Sequence, residues 1–159
     1  MGAPRSIRAR RIEVAETVDP LGRSDYASAF AVARQAPHRW TAELWARAAL
    51  EGAPAALRAF VVIGWRYGLG LRLGPRGSDT HVLGWAIASN TPDAVDLTLQ
   101  SALVSARKVV RVDAERVVMT TFVRYERAPA RTLWVAAAPI HHRTEPYLLA
   151  HAKPDEPAN

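Results

Sequence analysis

The stretch Val95–Glu126, VDLTLQSALVSARKVVRVDAERVVMTTFVRYE, decides the fold. At its start Val95, Leu97 and Leu99 alternate with Asp96, Thr98 and Gln100, the period-two pattern of a strand with one buried face. A second strand covers roughly Leu103 to Val112. The Asp113-Ala114-Glu115 turn then leads into a third, Arg116–Glu126, rich in β-branched and aromatic residues. There Val117, Met119, Thr121, Val123 and Tyr125 oppose Arg116, Thr120, Arg124 and Glu126. Strands joined this closely form an antiparallel meander, because parallel neighbours need a long crossover.

Working outward, His81, Leu83, Trp85 and Ile87 share one face of a further strand, closed by an Asn90-Thr91-Pro92-Asp93 turn. Tyr26, Phe30 and Val32 sit at even positions with Ser28 filling the gap in their row, so a first strand is expected over Ser24–Val32. Between these lies helical sequence. Thr41 can cap a helix with Glu43 in its first turn and Leu44, Trp45, Ala48 and Ala49 on one face. Gly52 is expected to close it in the left-handed conformation. Pro54 suits the start of a second helix, whose stripe is Leu57, Phe60, Val61, Gly64 and Trp65, with Gly68 and Gly70 ending it. So short a link predicts a bent helix pair. Residues 74–80 read as a loop. From Arg131 the period is helical again, with Leu133, Ala137, Ile140, Tyr147 and Leu148 on one side and Trp134 and His141 close to it. Pro139 is expected to kink this helix and Pro146 to kink or restart it.

Strand, helix pair, a run of strands and a long last helix argue an α+β fold with an antiparallel sheet. The 159 residues fit one domain. The expected division is a basic flexible tail over 1–12, a single domain over 13–153 and a disordered tail over 154–159. A curved sheet wrapping the final helix leaves a space between them, the natural place for a ligand.

Twenty-one Lys and Arg against fifteen Asp and Glu give a formal net charge of +6. Only Lys108 and Lys153 are lysines, and the arginine and alanine excess has the look of a composition skew. The dense basic stretch is Arg5, Arg8, Arg10 and Arg11, so a nucleic-acid or acidic partner is ranked last. The chain has no cysteine, which removes disulfides, thiol nucleophiles and thiolate metal sites. The longest apolar run, Ala59 to Trp65, falls far short of the ~18 residues of a membrane span. No secretory segment follows the first arginines, and the expected location is cytoplasmic.

No dinucleotide-binding glycine motif, phosphate-binding loop, HExxH or GxSxG is present, and no cofactor is expected. His141 and His142, neighbours on a helix, point about 100° apart and do not readily chelate one metal, so no metal is expected either. His141 is the candidate acid or base, with Tyr125 or Thr121 nearby. The alternative is a histidine bonded to a backbone carbonyl that Pro139 frees. Trp40, Trp45, Trp65, Trp85 and Trp134 make a tryptophan-rich chain. Such residues bring large apolar area and one polar handle each, suited either to a core or to a pocket for a flat ligand.

DYASAFAV (25–32), the tryptophan helix with EGAP (51–54), VVMTTFVRYE (117–126) and LWVAAAPIHHRTEPYLLAHA (133–152) together resemble a bacterial domain family of unknown function. Its members stand alone or behind NmrA-like dinucleotide-binding domains. The family pattern maps onto Asp25, Phe30, Thr120, Thr121, Arg124, Tyr125, Pro139 and His141. The family is similar to the helix-grip group, also called SRPBCC: START-like, Bet v 1-like and polyketide-cyclase-like proteins. The resemblance implies an apolar cavity between a curved antiparallel sheet and the last helix, and no particular reaction.

The leading expectation is a protein that binds a small apolar or aromatic molecule, with Trp65, Trp85, Leu99, Met119, Thr121 and Trp134 as ligand-binding residues. The alternative is a cyclase- or dehydratase-like enzyme on an apolar, polyketide-type metabolite, with His141 and Tyr125 as catalytic residues. An outer sheet face carrying Thr, Arg and apolar residues together would suit a homodimer.

Overall fold

A computed structural model describes residues 8–14, 19–34 and 40–153. Among these residues, seven antiparallel strands form one curved sheet: β1 (Arg10–Ile12), β2 (Tyr26–Ala33), β3 (His81–Val82), β4 (Trp85–Thr91), β5 (Ala94–Gln100), β6 (Val104–Val112) and β7 (Arg116–Tyr125). Their spatial order is β1-β2-β7-β6-β5-β4-β3. Three helices pack with it: α1 (Ala42–Leu50), α2 (Ala55–Ile63) and the long α3 (Ala128–Ala150). The fold is α+β, a helix-grip arrangement in which the sheet curves around the C-terminal helix.

The meander forms where the alternation places it, and register then decides what faces α3. Residues directly opposite in antiparallel strands share a face. One row on the inner face runs Tyr26, Val123, Ala106, Leu99, and another Phe30, Met119, Val110, Val95. Between them lies a row that starts polar: Ser28, Thr121, Lys108, then Leu97. The sheet therefore carries a buried polar band with apolar rows on both sides.

Several local expectations change. The 1–12 tail loses its end to the sheet, because Arg10–Ile12 pair with Ala29–Ala31 as β1. The rest of that tail before residue 8, and the 154–159 tail, lie outside the described residues. The strand from His81 to Ile87 is a hairpin instead: Leu83 (φ 45°) and Gly84 (φ 86°) turn the chain between β3 and β4. Positive φ at both turn residues matches the right-handed twist of the flanking strands. Thr91 belongs to β4, so the turn into β5 shrinks to Pro92-Asp93. The middle of β7 is buried on both faces, Phe122 and Thr120 as well as Met119 and Thr121.

Thr41 caps α1, its Oγ1 accepting from the Leu44 N–H at 3.3 Å. Gly52 follows α1 without a left-handed turn. A side chain there would meet the Ala48 carbonyl oxygen at 2.4 Å, so glycine serves close approach instead. After α2 the chain makes one wider π-helical turn, Gly64–Gly68, with the Leu69 N–H reaching the Gly64 carbonyl. The helix pair is bent by 93°. Among the described residues no single helix is long and apolar enough to cross a membrane.

α3 starts at Ala128, with Pro129 in its first turn, where no intrahelical N–H is required. It runs unbroken through Pro139 and Pro146, contrary to a restart at Pro146. The N–H missing at Pro139 leaves the carbonyl of exposed Val135, which water can satisfy. The buried stripe is Ala130, Trp134, Glu145, Leu148 and Leu149. Leu133 and Ile140, expected on that side, are 37% and 48% exposed.

Candidate ligand cavity and its buried polar cluster

A cavity of about 340 Å³ lies between the inner sheet face, α3, and the wall made by α2 and its π-helical turn. That is within the range of small-molecule sites, roughly 300–1,000 Å³. Val61 and Trp65 come from the helical wall, and Leu69 and Leu71 from the segment that follows it. The sheet supplies Trp85, Val104, Ala106, Lys108, Thr121 and Val123. α3 supplies Trp134, Ala137, His141, Glu145 and Leu148. Phe60, Leu133 and Ile140 are large, apolar, exposed and part of the same wall, so they form its rim.

Of the residues singled out in the sequence, the cavity brings together Trp65, Trp85, Thr121, Trp134 and His141. Trp65 and Trp85 meet edge to face with ring centroids 5.6 Å apart. Leu99 and Met119 are instead buried in the core and form no part of this cavity's wall. Tyr125 also stands outside it. It ends β7, where its N–H donates to the Asp25 carboxylate at 2.7 Å, and burial raises its hydroxyl pKa, with Asp25 adding to the effect. Leu99 borders a separate, open hollow of about 520 Å³ beside Arg72, His81 and Gln100.

The sequence reading missed the ion pair at the cavity floor. Lys108 on β6 and Glu145 on α3 are bonded Nζ to Oε1, with side chains only 2% and 5% exposed. Thr121 links them: its Oγ1 accepts from Lys108 at 2.8 Å and lies 3.1 Å from the same carboxylate oxygen, to which it donates. Lys108 Nζ also lies 5.5 Å from the centre of the Trp85 ring. Burial works to raise the Glu145 pKa, but Lys108, His141 and the hydrogen bonds from Lys108 and Thr121 together hold it below the ordinary value.

His141 extends this cluster. Its Nδ1 is 3.4 Å from Glu145 Oε2, and its Nε2 is 3.2 Å from Ser28 Oγ. Burial pushes its pKa down to about 4, against the opposing pull of Glu145 and with help from Lys108. The ring is thus neutral at pH 7 and has one N–H to give. The carboxylate beside Nδ1 places that proton on Nδ1, leaving Nε2 to accept from the Ser28 hydroxyl. The partners are side chains on β2 and within α3, not a carbonyl freed by Pro139. His142 turns to the same strand: its Nε2 is 2.5 Å from the Tyr26 hydroxyl, and the two rings stack. Adjacent histidines thus fasten α3 to two positions of β2.

A signal for the ion pair existed in the strand VSARKVVRV. Its even positions, Val104, Ala106, Val110 and Val112, face inward, and Lys108 shares their parity. Glu145 similarly stands four residues after His141 and three before Leu148, on the buried stripe. Among the described residues no cluster of three or more His, Cys, Asp or Glu side chains is placed to hold a metal ion.

No protein-family model matches the chain, and no curated protein matches it. Among solved structures it is compared with PA94, a protein of unknown function from Pseudomonas aeruginosa, at 16% identity and a TM-score of 0.22. That alignment covers 98% of this chain and 88% of the other.

Proposed function

We propose that the protein binds a small apolar or aromatic molecule in the cavity between its sheet and α3. The observation that carries this reading is a cavity of about 340 Å³ walled by Trp65, Trp85 and Trp134 and rimmed by exposed apolar side chains. A soluble fold seldom leaves large apolar side chains grouped around an opening without a use for them. The helix-grip arrangement, and the order of motifs that resembles that group, support the same reading. A ligand that binds only the folded chain raises its melting temperature in proportion to ln(1 + [L]/Kd). Thermal unfolding against a panel of flat apolar molecules, with titration calorimetry on the best, is the test. Stabilisation by none of them overturns the reading.

A second reading, acid/base turnover of the bound molecule, is favoured by one observation: His141 lines the cavity with Glu145 at Nδ1 and Ser28 at Nε2. In this reading His141 acts as its neutral form, steadied by Glu145, and Tyr125 has no part. His141→Gln should then retain ligand affinity within a few-fold and lose turnover.

A further inference from the structure

α2 and the π-helical turn after it bury little for so apolar a stretch. Between Ala55 and Gly68 only Val61 is buried, whereas α1, nine residues long like α2, buries five. Phe60, Ile63 and Tyr67 are 52%, 57% and 77% exposed. Their spacing of three and four carries them along one side of the helical segment. On α3 the exposed Leu133, Ile140 and Tyr147 recur every seven residues and so share a side too. Phe60, Leu133 and Ile140 all border the cavity, so both helices contribute to one apolar surface around its mouth. Exposed apolar surface grouped in this way marks an interaction site.

The charge on these segments has one sign. Residues 52–78 hold four arginines and residues 127–144 hold three, and neither stretch holds an Asp or Glu. The Arg66 guanidinium stands beside the Tyr67 ring, 6.0 Å from its centre. Arg143 is exposed one turn after Ile140.

Charge and chemistry together narrow the partner. A second copy docked by the same face would set arginine against arginine, with no carboxylate from these segments to pair them. A nucleic acid would suit the arginines, but Ile63, Leu133 and Ile140 have no ring to stack on a base. An anionic bilayer offers both halves at once, hydrocarbon beneath a plane of negative headgroups.

We propose that the protein docks on an anionic lipid bilayer through the face around its cavity mouth. Phe60, Ile63 and Tyr67 enter the acyl boundary, and Arg66 and Arg143 meet the headgroups. The protein lies on the membrane and does not cross it.

The test is co-sedimentation of the intact protein with vesicles of phosphatidylcholine, alone or with about 30% phosphatidylglycerol. Binding should favour the anionic vesicles and be lost between about 0.05 and 0.5 M salt. Phe60→Ser with Tyr67→Ser, both at exposed positions, should weaken it at least about tenfold, and Arg66→Glu with Arg143→Glu should remove the preference for anionic lipid. A chain without cysteine also lets one thiol report position. An environment-sensitive dye on Ile63→Cys should brighten and shift to the blue on anionic vesicles. The same dye on Ala114→Cys, in the exposed turn at the far end of β6 and β7, should not. Any of four results overturns the proposal: no binding to either vesicle, equal binding to both, binding indifferent to Phe60 and Tyr67, or a dye response at Ala114 and not at Ile63. So does light scattering that shows a dimer which Tyr67→Ser returns to a monomer, because the face then belongs to a second copy.

Discussion

Lys108 and Glu145 stand on opposite walls of the cavity, one in the middle of the sheet and one four residues after His141, and meet as a buried ion pair with Thr121 between them. The pair couples α3 to the sheet at the point where an apolar contact would otherwise be expected. Removing one partner leaves a charge buried alone, whereas replacing both need not, because desolvation offsets much of the attraction.

Glu145→Gln and Lys108→Met should each destabilise the fold by about 3–5 kcal/mol. The double replacement Lys108→Met with Glu145→Leu should recover most of that loss. Urea unfolding of the wild type, both single variants and the double variant measures it. Additive losses would mean that the two side chains do not act as a pair.

Stability should rise with pH between about 4 and 6.5. In the unfolded chain His141 binds its proton near 6.5, and in the folded one only near 4, so acid favours the unfolded state across that window. The effect is on the order of 3 kcal/mol when integrated. Glu145 acts in the same direction lower down: its folded pKa lies below the ordinary 4.5, so its contribution is present above that value and fades as pH falls through the folded one. Urea midpoints measured from pH 4 to 8 should show the slope, and His141→Gln should flatten the part above pH 4.5.

Gly84→Ala should cost more than about 1 kcal/mol. The residue has φ 86°, and a Cβ there would fall 2.9 Å from Leu73 Cβ and Cδ2. The substitution strains the backbone and crowds a neighbour together, so its loss should exceed that of Gly77→Ala, where φ is 62° and nothing stands within 4 Å. Thermal unfolding of the two variants side by side decides this.

Thr41→Ala should lose about 1 kcal/mol, the usual value of a helix N-cap, because its hydroxyl accepts the Leu44 N–H. Thr41→Ser should keep most of it. The readout is the melting temperature, with ligand affinity unchanged in both variants.

The meander was legible because β5 and β7 alternate cleanly and their turns are short. The hairpin at Leu83-Gly84 was not, since a leucine at positive φ hides a turn inside an apparent period of two. The face of α3 was misread for a related reason. Leu133, Ile140 and Tyr147 look like core residues but are exposed, two of them as the cavity rim, while the charged Glu145 is buried. Hydrophobicity ranks residues by their cost of burial alone, and at this site pairing with Lys108 offsets much of that cost for Glu145. The tryptophans were legible as a set, but only three-dimensional placement separates Trp65, Trp85 and Trp134 from Trp40 and Trp45.

The short strand β1 changes what the basic N-terminal residues are good for. Among the described residues, Arg10 and Arg11 lie on an outermost strand of the sheet. β1 is only three residues long and carries two adjacent guanidinium groups. A neighbouring chain that approached to extend the sheet would find a brief template and a like-charged edge, its own β1 included. On the β1 side of the sheet, so short and basic an edge weighs against edge-to-edge pairing, a use of charge that requires no bound partner.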